Sequence, residues 1–243
     1  MTRIYDALKR AEQERGSQGA GRTGETIRPE KGLRSQSLRQ KLIAVYQAIE
    51  ASLPERSSRT ILFVSARPGE GASTLVRELA RLVSGEFAQK VALIDVGRGA
   101  GGHHERFGVK LAGGFDDVVS GGLQLDEVLQ EVNGSGLFLG CLTASHVSSS
   151  TVLADPKFEG IVKDLREKFR LVLFDAPPLA ESSDALVIAS ASDGVIMIIE
   201  AEKTRWQVAE SMRERIAMQG ANILGVILNR RRFHIPQFIY RLL

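Results

Sequence analysis

Thr60-Ile-Leu-Phe-Val-Ser-Ala-Arg-Pro-Gly-Glu-Gly-Ala-Ser-Thr74, continuing as Leu-Val-Arg-Glu-Leu-Ala-Arg-Leu82, is the stretch whose reading decides the fold. An apolar, β-branched run meets a Pro-Gly-Glu-Gly turn and then a helical pattern with Leu75, Leu79 and Leu82 on one face, which reads as strand, tight loop, helix. That is the layout of a phosphate-binding loop. Glycines let the backbone turn its N–H groups inward, and the start of the following helix adds partial positive charge. A fully equipped loop reads G-x-x-x-x-G-K-[ST], its lysine reaching the β- and γ-phosphates and its hydroxyl holding Mg²⁺. Here Ala72 stands at the lysine position, Ser73 keeps the hydroxyl with Thr74 behind it, and Ala66 replaces the leading glycine. The loop has its shape and lacks its main charge. Phosphoryl transfer depends on positioning and on neutralising developing charge, so it is expected to be crippled.

Outward from this stretch, the chain alternates apolar runs with helical patterns. Lys90–Asp95 and Leu171–Asp175 read as buried parallel strands that each end in a carboxylate, and Leu137–Leu142, Gly194–Glu200 and Ile223–Asn229 read as further strands. Helices are expected over residues 39–53, after the loop, as two short pieces within 113–132, over Asp155–Phe169, over Glu181–Ala191, and over Thr204–Gln219 with Thr204 as cap. Strands that are continuous apolar runs alternating with helices specify an α/β fold with a mostly parallel sheet covered on both faces. In such sheets ligands bind at the carboxyl ends of the strands, so Asp95 and Asp175 point to the phosphate site. Asp175-Ala-Pro-Pro stands where a Mg²⁺-binding carboxylate would be, or is a capping carboxylate in a turn. The adjacent His103 and His104 would face opposite ways on a strand and lack the i, i+4 spacing of a helical metal site.

Four segments are expected: an amphipathic helix over 1–15 with Ile4, Leu8 and Ala11 on one face, a linker over 16–38, the α/β domain over 39–229, and a basic, apolar tail over 230–243. The first helix is either a surface helix or a docking peptide, and the tail either folds back or docks on a membrane or partner. The net charge of +3 hides an asymmetry, since residues 1–40 and 230–243 each carry +4 and the middle carries −5. Such basic ends suit an anionic membrane surface or an acidic partner better than a nucleic-acid groove. No apolar run approaches the roughly 20 residues of a membrane span, and no signal-peptide core is visible, so a cytoplasmic protein is expected. The single cysteine, Cys141, excludes a disulfide framework and reads as a small buried hydrophobe.

With the loop, Ile94-Asp95, Asp175-Ala-Pro-Pro and Ser183-Asp-Ala-Leu186 in this order, and with the opening Arg3-Ile-Tyr-Asp-Ala-Leu-Lys-Arg-Ala-Glu12, the chain resembles the CpsD/CapB bacterial tyrosine kinases (BY-kinases), relatives of MinD/ParA ATPases. The resemblance implies a three-layer P-loop NTPase fold, ATP or ADP with Mg²⁺ as ligand, and work beside a Wzz-like integral-membrane polysaccharide co-polymerase in exopolysaccharide or capsule assembly at the inner face of the membrane. It assigns Gly69, Glu70, Gly71, Ala72, Ser73 and Thr74 to the nucleotide, Ser73 and Asp175 to Mg²⁺, and Asn229 to the adenine. Arg67 occupies the place of the MinD/ParA "signature" lysine and is either a stand-in phosphate ligand or a solvated loop residue.

The departures from the family pattern point one way. Beside the lost lysine, the family's Asp-x-Asp reads Asp95-Val-Gly97. Gln47 and Glu50 stand where the family's ring-forming arginines would be, Val147-Ser-Ser-Ser150 replaces a Pro-Pro-Asn-Pro loop, and Tyr240 is the sole tyrosine of the acceptor tail. The expectation is a degenerate, pseudokinase-like regulator or scaffold whose only catalytic remnants are Asp95 and Asp175, with weakened nucleotide and Mg²⁺ binding. The alternatives are an active autokinase or ATPase using Arg67, and a MinD/ParA-like positioning ATPase.

Overall fold

The computed structural model describes residues 31–96, 102–142 and 149–231, with side chains from residue 36 onward. The expected N-terminal helix over 1–15, the glycine run at 97–101, Val147 and Ser148, and the tail with Tyr240 lie outside the described residues. The elements in chain order are α1 (Lys31–Ser52), β1 (Arg59–Ser65), α2 (Ala72–Glu86), β2 (Val91–Asp95), α3 (His103–Phe107), α4 (Phe115–Ser120), α5 (Leu125–Val128), β3 (Gln130–Glu131) and β4 (Leu137–Cys141). Then come α6 (Ser149–Ala154), α7 (Pro156–Lys168), β5 (Leu171–Asp175), α8 (Asp184–Ala191), β6 (Gly194–Glu200), α9 (Trp206–Ala217) and β7 (Ile223–Asn229).

Seven strands form one sheet in the order β3-β4-β2-β5-β1-β6-β7, every pair parallel except β3 with β4. Because side chains alternate across a strand, each apolar run feeds two cores. Leu62 and Val64 of β1, Ile94 of β2 and Phe174 of β5 pack under α4 to α9, where Phe115, Phe158, Ile161, Ile188 and Met212 are buried. Ile61, Phe63, Leu93 and Leu173 face the other way, onto Leu42, Tyr46 and Ile49 of α1 and Val76, Leu79 and Val83 of α2. Both faces are therefore covered by helices, as continuous apolar strands require.

Several expected boundaries are corrected. Helix α1 starts at Lys31, inside the segment read as linker. Residues 36–41 are exposed, so burial leaves no apolar period there to announce the helix. The second short helix in 113–132 stops at Val128, and Gln130-Glu131 pair antiparallel with Leu139-Phe138. The turn Asn133-Gly134-Ser135-Gly136 imposes this, with Asn133, Gly134 and Gly136 all at positive φ and Val132 N donating to Leu137 O at 2.8 Å. Helix α8 begins at Asp184 rather than Glu181. Helix α9 begins at Trp206 after Arg205, and Thr204 uses its hydroxyl elsewhere than as a cap.

At the end of the sheet opposite the phosphate loop, where β1 and β5 begin, Glu50 of α1 bridges two cations of its own chain. Its Oε1 lies 2.8 Å from Nη1 of Arg59, whose side chain is 3% exposed, and its Oε2 accepts from Arg170 at 3.1 Å. The Arg59 contact is an ion pair without hydrogen-bond alignment at Nη1, while Arg59 Nε donates to Leu53 O. Removing the carboxylate strands a buried guanidinium, whereas Gln can keep a polar partner. Glu50→Ala is expected to cost about 2–3 kcal/mol in urea unfolding and Glu50→Gln clearly less, because a lost partner leaves the other charge buried and uncompensated.

Candidate functional site

The carboxyl ends of β1, β5 and β2 sit side by side. Asp175 is in register with Phe63 of β1 and with Asp95 of β2, and Val96 N donates to Asp175 O at 2.9 Å. Parallel register thus sets two carboxylates on adjacent strands at one mouth. Above them lies a cleft of about 420 Å³ whose wall includes Gly69, Gly71, Ala72, Ser73 and Thr74 of the loop, Asp95, Asp175 and Pro177-Pro178. The two prolines end β5's pairing, and Leu179 N and Ala180 N return to Ser65 O and Ala66 O.

The loop has the conformation that its glycines allow. Gly69 and Gly71 stand at φ 81° and 95°, and a Cβ on Gly71 would lie 2.3 Å from Asn229 Nδ2. Gly71 leads into α2, whose 15 residues aim a helix N-terminus at the cleft. Ser73 and Thr74 are exposed there, while Ala72 is 6% exposed and joins the core beneath.

Glu70 holds the loop from within. Its carboxylate, 2% exposed, accepts from Ala66 N at 2.8 Å and Arg67 N at 2.9 Å through Oε2, and from the Thr204 hydroxyl and Glu200 N through Oε1. Asn229 closes the ring by donating to Glu70 O at 2.8 Å and accepting from Arg230 N at 2.9 Å. Neither Glu70 nor Asn229 is part of the cleft wall. Both brace the loop, which is a different position from the ligand contact that the resemblance implied.

Arg67 is exposed and also off the wall; the guanidinium groups along it belong to Arg77 and Arg230. Arg77 follows Ser73 by four residues on α2 and so shares its helical face, a spacing that sequence alone could have flagged. Its Nε stands 3.8 Å from Glu78, and Arg230 Nη1 stands 3.6 Å from Glu200. The two histidines, read at the end of a glycine-rich stretch, open α3. His103 N donates to Asp95 Oδ2 at 3.0 Å, and its Nε2 lies 2.9 Å from Asp175 Oδ2. No sequence spacing signals this contact.

A divalent cation is implied by the resemblance, and the donor set fits it in part. Ser73 and Asp175 share the cleft, but one Asp175 oxygen is already engaged by His103, and among the described residues no three His, Cys, Asp or Glu groups form a set able to hold a metal. Next to this mouth, Cys141 is paired in register with Asp95. Burial, helped by the carboxylates of Asp95, Asp116 and Asp117, pushes its thiol up from an ordinary 9.0 to about 12.

Two outcomes follow from this geometry. Glu70→Gln replaces acceptors with an amide N–H₂ facing donors, so it is expected to cost about 1–3 kcal/mol in chemical unfolding and to make the loop more cleavable by protease. Cys141 is expected to resist disulfide reagents at pH 8 until the chain is unfolded. The thiol titrates at a higher pH folded than unfolded, so its contribution to stability is complete below about 9 and is lost as pH rises toward about 12, readable as a falling melting temperature.

Among the described residues no helix is long and apolar enough to cross a membrane. No family model matches the chain. Tyrosine-protein kinase YwqD of Bacillus subtilis is 26% identical over 183 residues, 74% of this chain and 76% of that protein. Tyrosine-protein kinase CpsD of Streptococcus agalactiae is 26% identical over 178 residues, 72% of this chain and 76% of the relative. Among solved structures, the kinase domain of VpsO superposes with a TM-score of 0.70 at 28% identity, covering 83% of this chain and 98% of that domain. The septum site-determining protein MinD of Pyrococcus horikoshii, complexed with Mg-ADP, gives 0.57 at 22% identity over 76% of each chain, a likeness of fold. The chain is thus similar in sequence to tyrosine-protein kinases of the YwqD and CpsD kind, and its α/β fold is that of solved bacterial tyrosine-kinase domains and of MinD.

Proposed function

We propose that this chain is a kinase-derived protein that retains a nucleotide cradle, has given up phosphoryl transfer, and acts as a cytoplasmic regulator or scaffold of a membrane complex that polymerises and exports exopolysaccharide or capsule. The observation that carries this reading is Ala72. The residue at the lysine position is a methyl group packed into the core, so no ammonium extends from it over the phosphates. Gly97 in place of a second acidic residue supports the same conclusion from the sequence. The backbone amides of the loop, the start of α2, and Arg77 and Arg230 remain as groups that attract an anionic polyphosphate. Ser73, Thr74, Gly69 and Gly71 are the loop residues assigned to it. The partner, a polysaccharide co-polymerase or the anionic membrane beside it, is assigned to the basic ends of the chain on their charge alone.

A working ATP-dependent autokinase is the second reading. What favours it is the pair of guanidiniums on the cleft wall, with Arg77 rather than the exposed Arg67 as the group able to stand in for lysine. Incubation of the full chain with γ-labelled ATP and Mg²⁺ separates the two. No label on Tyr240 or on a co-purified membrane partner is expected; labelling abolished by Asp175→Asn, with ATP turnover lost in Arg77→Ala, would select the kinase.

A further inference from the structure

We propose that the cleft takes its nucleotide as the metal-free anion, because His103 is an internal cap seated on Oδ2 of Asp175, the carboxylate that a cation would need. The proposal rests on the nucleotide-cleft reading above and names the form of ligand that this cleft accepts.

His103 is fixed from two sides. Its backbone N–H donates to Asp95 Oδ2 at 3.0 Å, and a Cβ on the preceding Gly102 would lie 3.0 Å from that same oxygen, so the chain passes Asp95 where a side chain would be crowded. From that anchor the imidazole reaches across to Asp175, its Nε2 2.9 Å from Oδ2, and both side chains are buried, at 3% and 6% exposure. A buried carboxylate needs a compensating partner, and in this protein a ring nitrogen of the chain itself supplies it.

The contact leaves little for a magnesium ion. Mg²⁺ requires near-octahedral oxygen coordination at short range, gives up its water reluctantly, and sits poorly with imidazole. The ring takes one of the lone-pair positions on Oδ2, so the ion or its bound water must share that oxygen with the ring or displace it. The other oxygen, Asp175 Oδ1, has no hydrogen-bond partner and is closed off from solvent, so a hydrated cation reaches it only if the surroundings rearrange. Phosphate charge is instead met by Arg77, Arg230 and the start of α2, which line the same cleft and need no metal. A competitor already seated on the ligating oxygen must be displaced at the expense of binding energy, so cation affinity falls while metal-free binding is untouched.

Calorimetric titration of ADP into the full chain, in EDTA and then in excess MgCl₂, is the direct test. The wild-type affinity is expected to be the same in both within about twofold, whereas in His103→Ala Mg²⁺ should tighten ADP by about tenfold, the order by which groups beside a metal ligand change affinity. His103→Gln, whose amide can still donate to Asp175, should keep the wild-type indifference to Mg²⁺. A tenfold gain with Mg²⁺ in the wild type overturns the cap, and that comparison stands even if a variant does not fold. If ADP binds under no condition, the nucleotide reading fails and Mn²⁺ alone decides. Water-proton relaxation should then report a Mn²⁺ site in His103→Ala that is absent from wild type and from the double variant with Asp175→Asn. Equal Mn²⁺ binding by wild type and His103→Ala, or weaker binding by the variant, rejects the cap.

Discussion

A buried charge must be compensated, and this constraint organises the mouth of the sheet. Glu70, Asp95 and Asp175 are all buried where β1, β2 and β5 end, and each is engaged by the chain's own donors. Glu70 takes two loop amides and the Thr204 hydroxyl, Asp95 takes the His103 amide, and Asp175 takes the His103 ring. In a parallel sheet the strand ends cannot be splayed apart without breaking the ladder, so three carboxylates in one place are a standing cost that only nearby donors remove. The loop's shape and the position of α3 follow from where those donors lie.

The same logic operates at the opposite end of the strands. Asp193, leading into β6, accepts from Thr60 N and from Arg166, and Arg56 lies 3.6 Å from it, while Glu50 meets Arg59 and Arg170. These contacts tie α1 and α7 to the strand starts. At position 50, where the resemblance implied an arginine reaching a neighbouring subunit, an acid turns inward to cations of its own chain.

Preserved architecture alongside absent reactive groups is consistent physics. Sheet, cores and loop depend on apolar burial and on glycine conformations, none of which involves the side chain at 72. Lysine at that position acts on the ligand, whereas alanine keeps only its β-carbon, which is buried in the core beneath the loop. Function and fold are separable here because they rest on different atoms.

The sequence by itself determined the strands and their order of appearance, the glycine loop, the carboxylates at the ends of β2 and β5, and the absence of a lysine from the loop. Each is a local signal: a continuous apolar run, a turn residue, a residue type at a set spacing. Short elements were less legible. The β3 hairpin was obscured because Leu125, Val128, Leu129 and Val132 fit a helical period as well, and the Asn133-Gly134 turn carried the decision. Tertiary structure alone decided that His103 meets Asp175, 72 residues away, that Thr204 serves Glu70 rather than its own helix, and that Arg77 and Arg230 rather than Arg67 face the cleft. Those pairings arise from how parallel strands stack their ends side by side, and a one-dimensional pattern holds no record of which ends become neighbours.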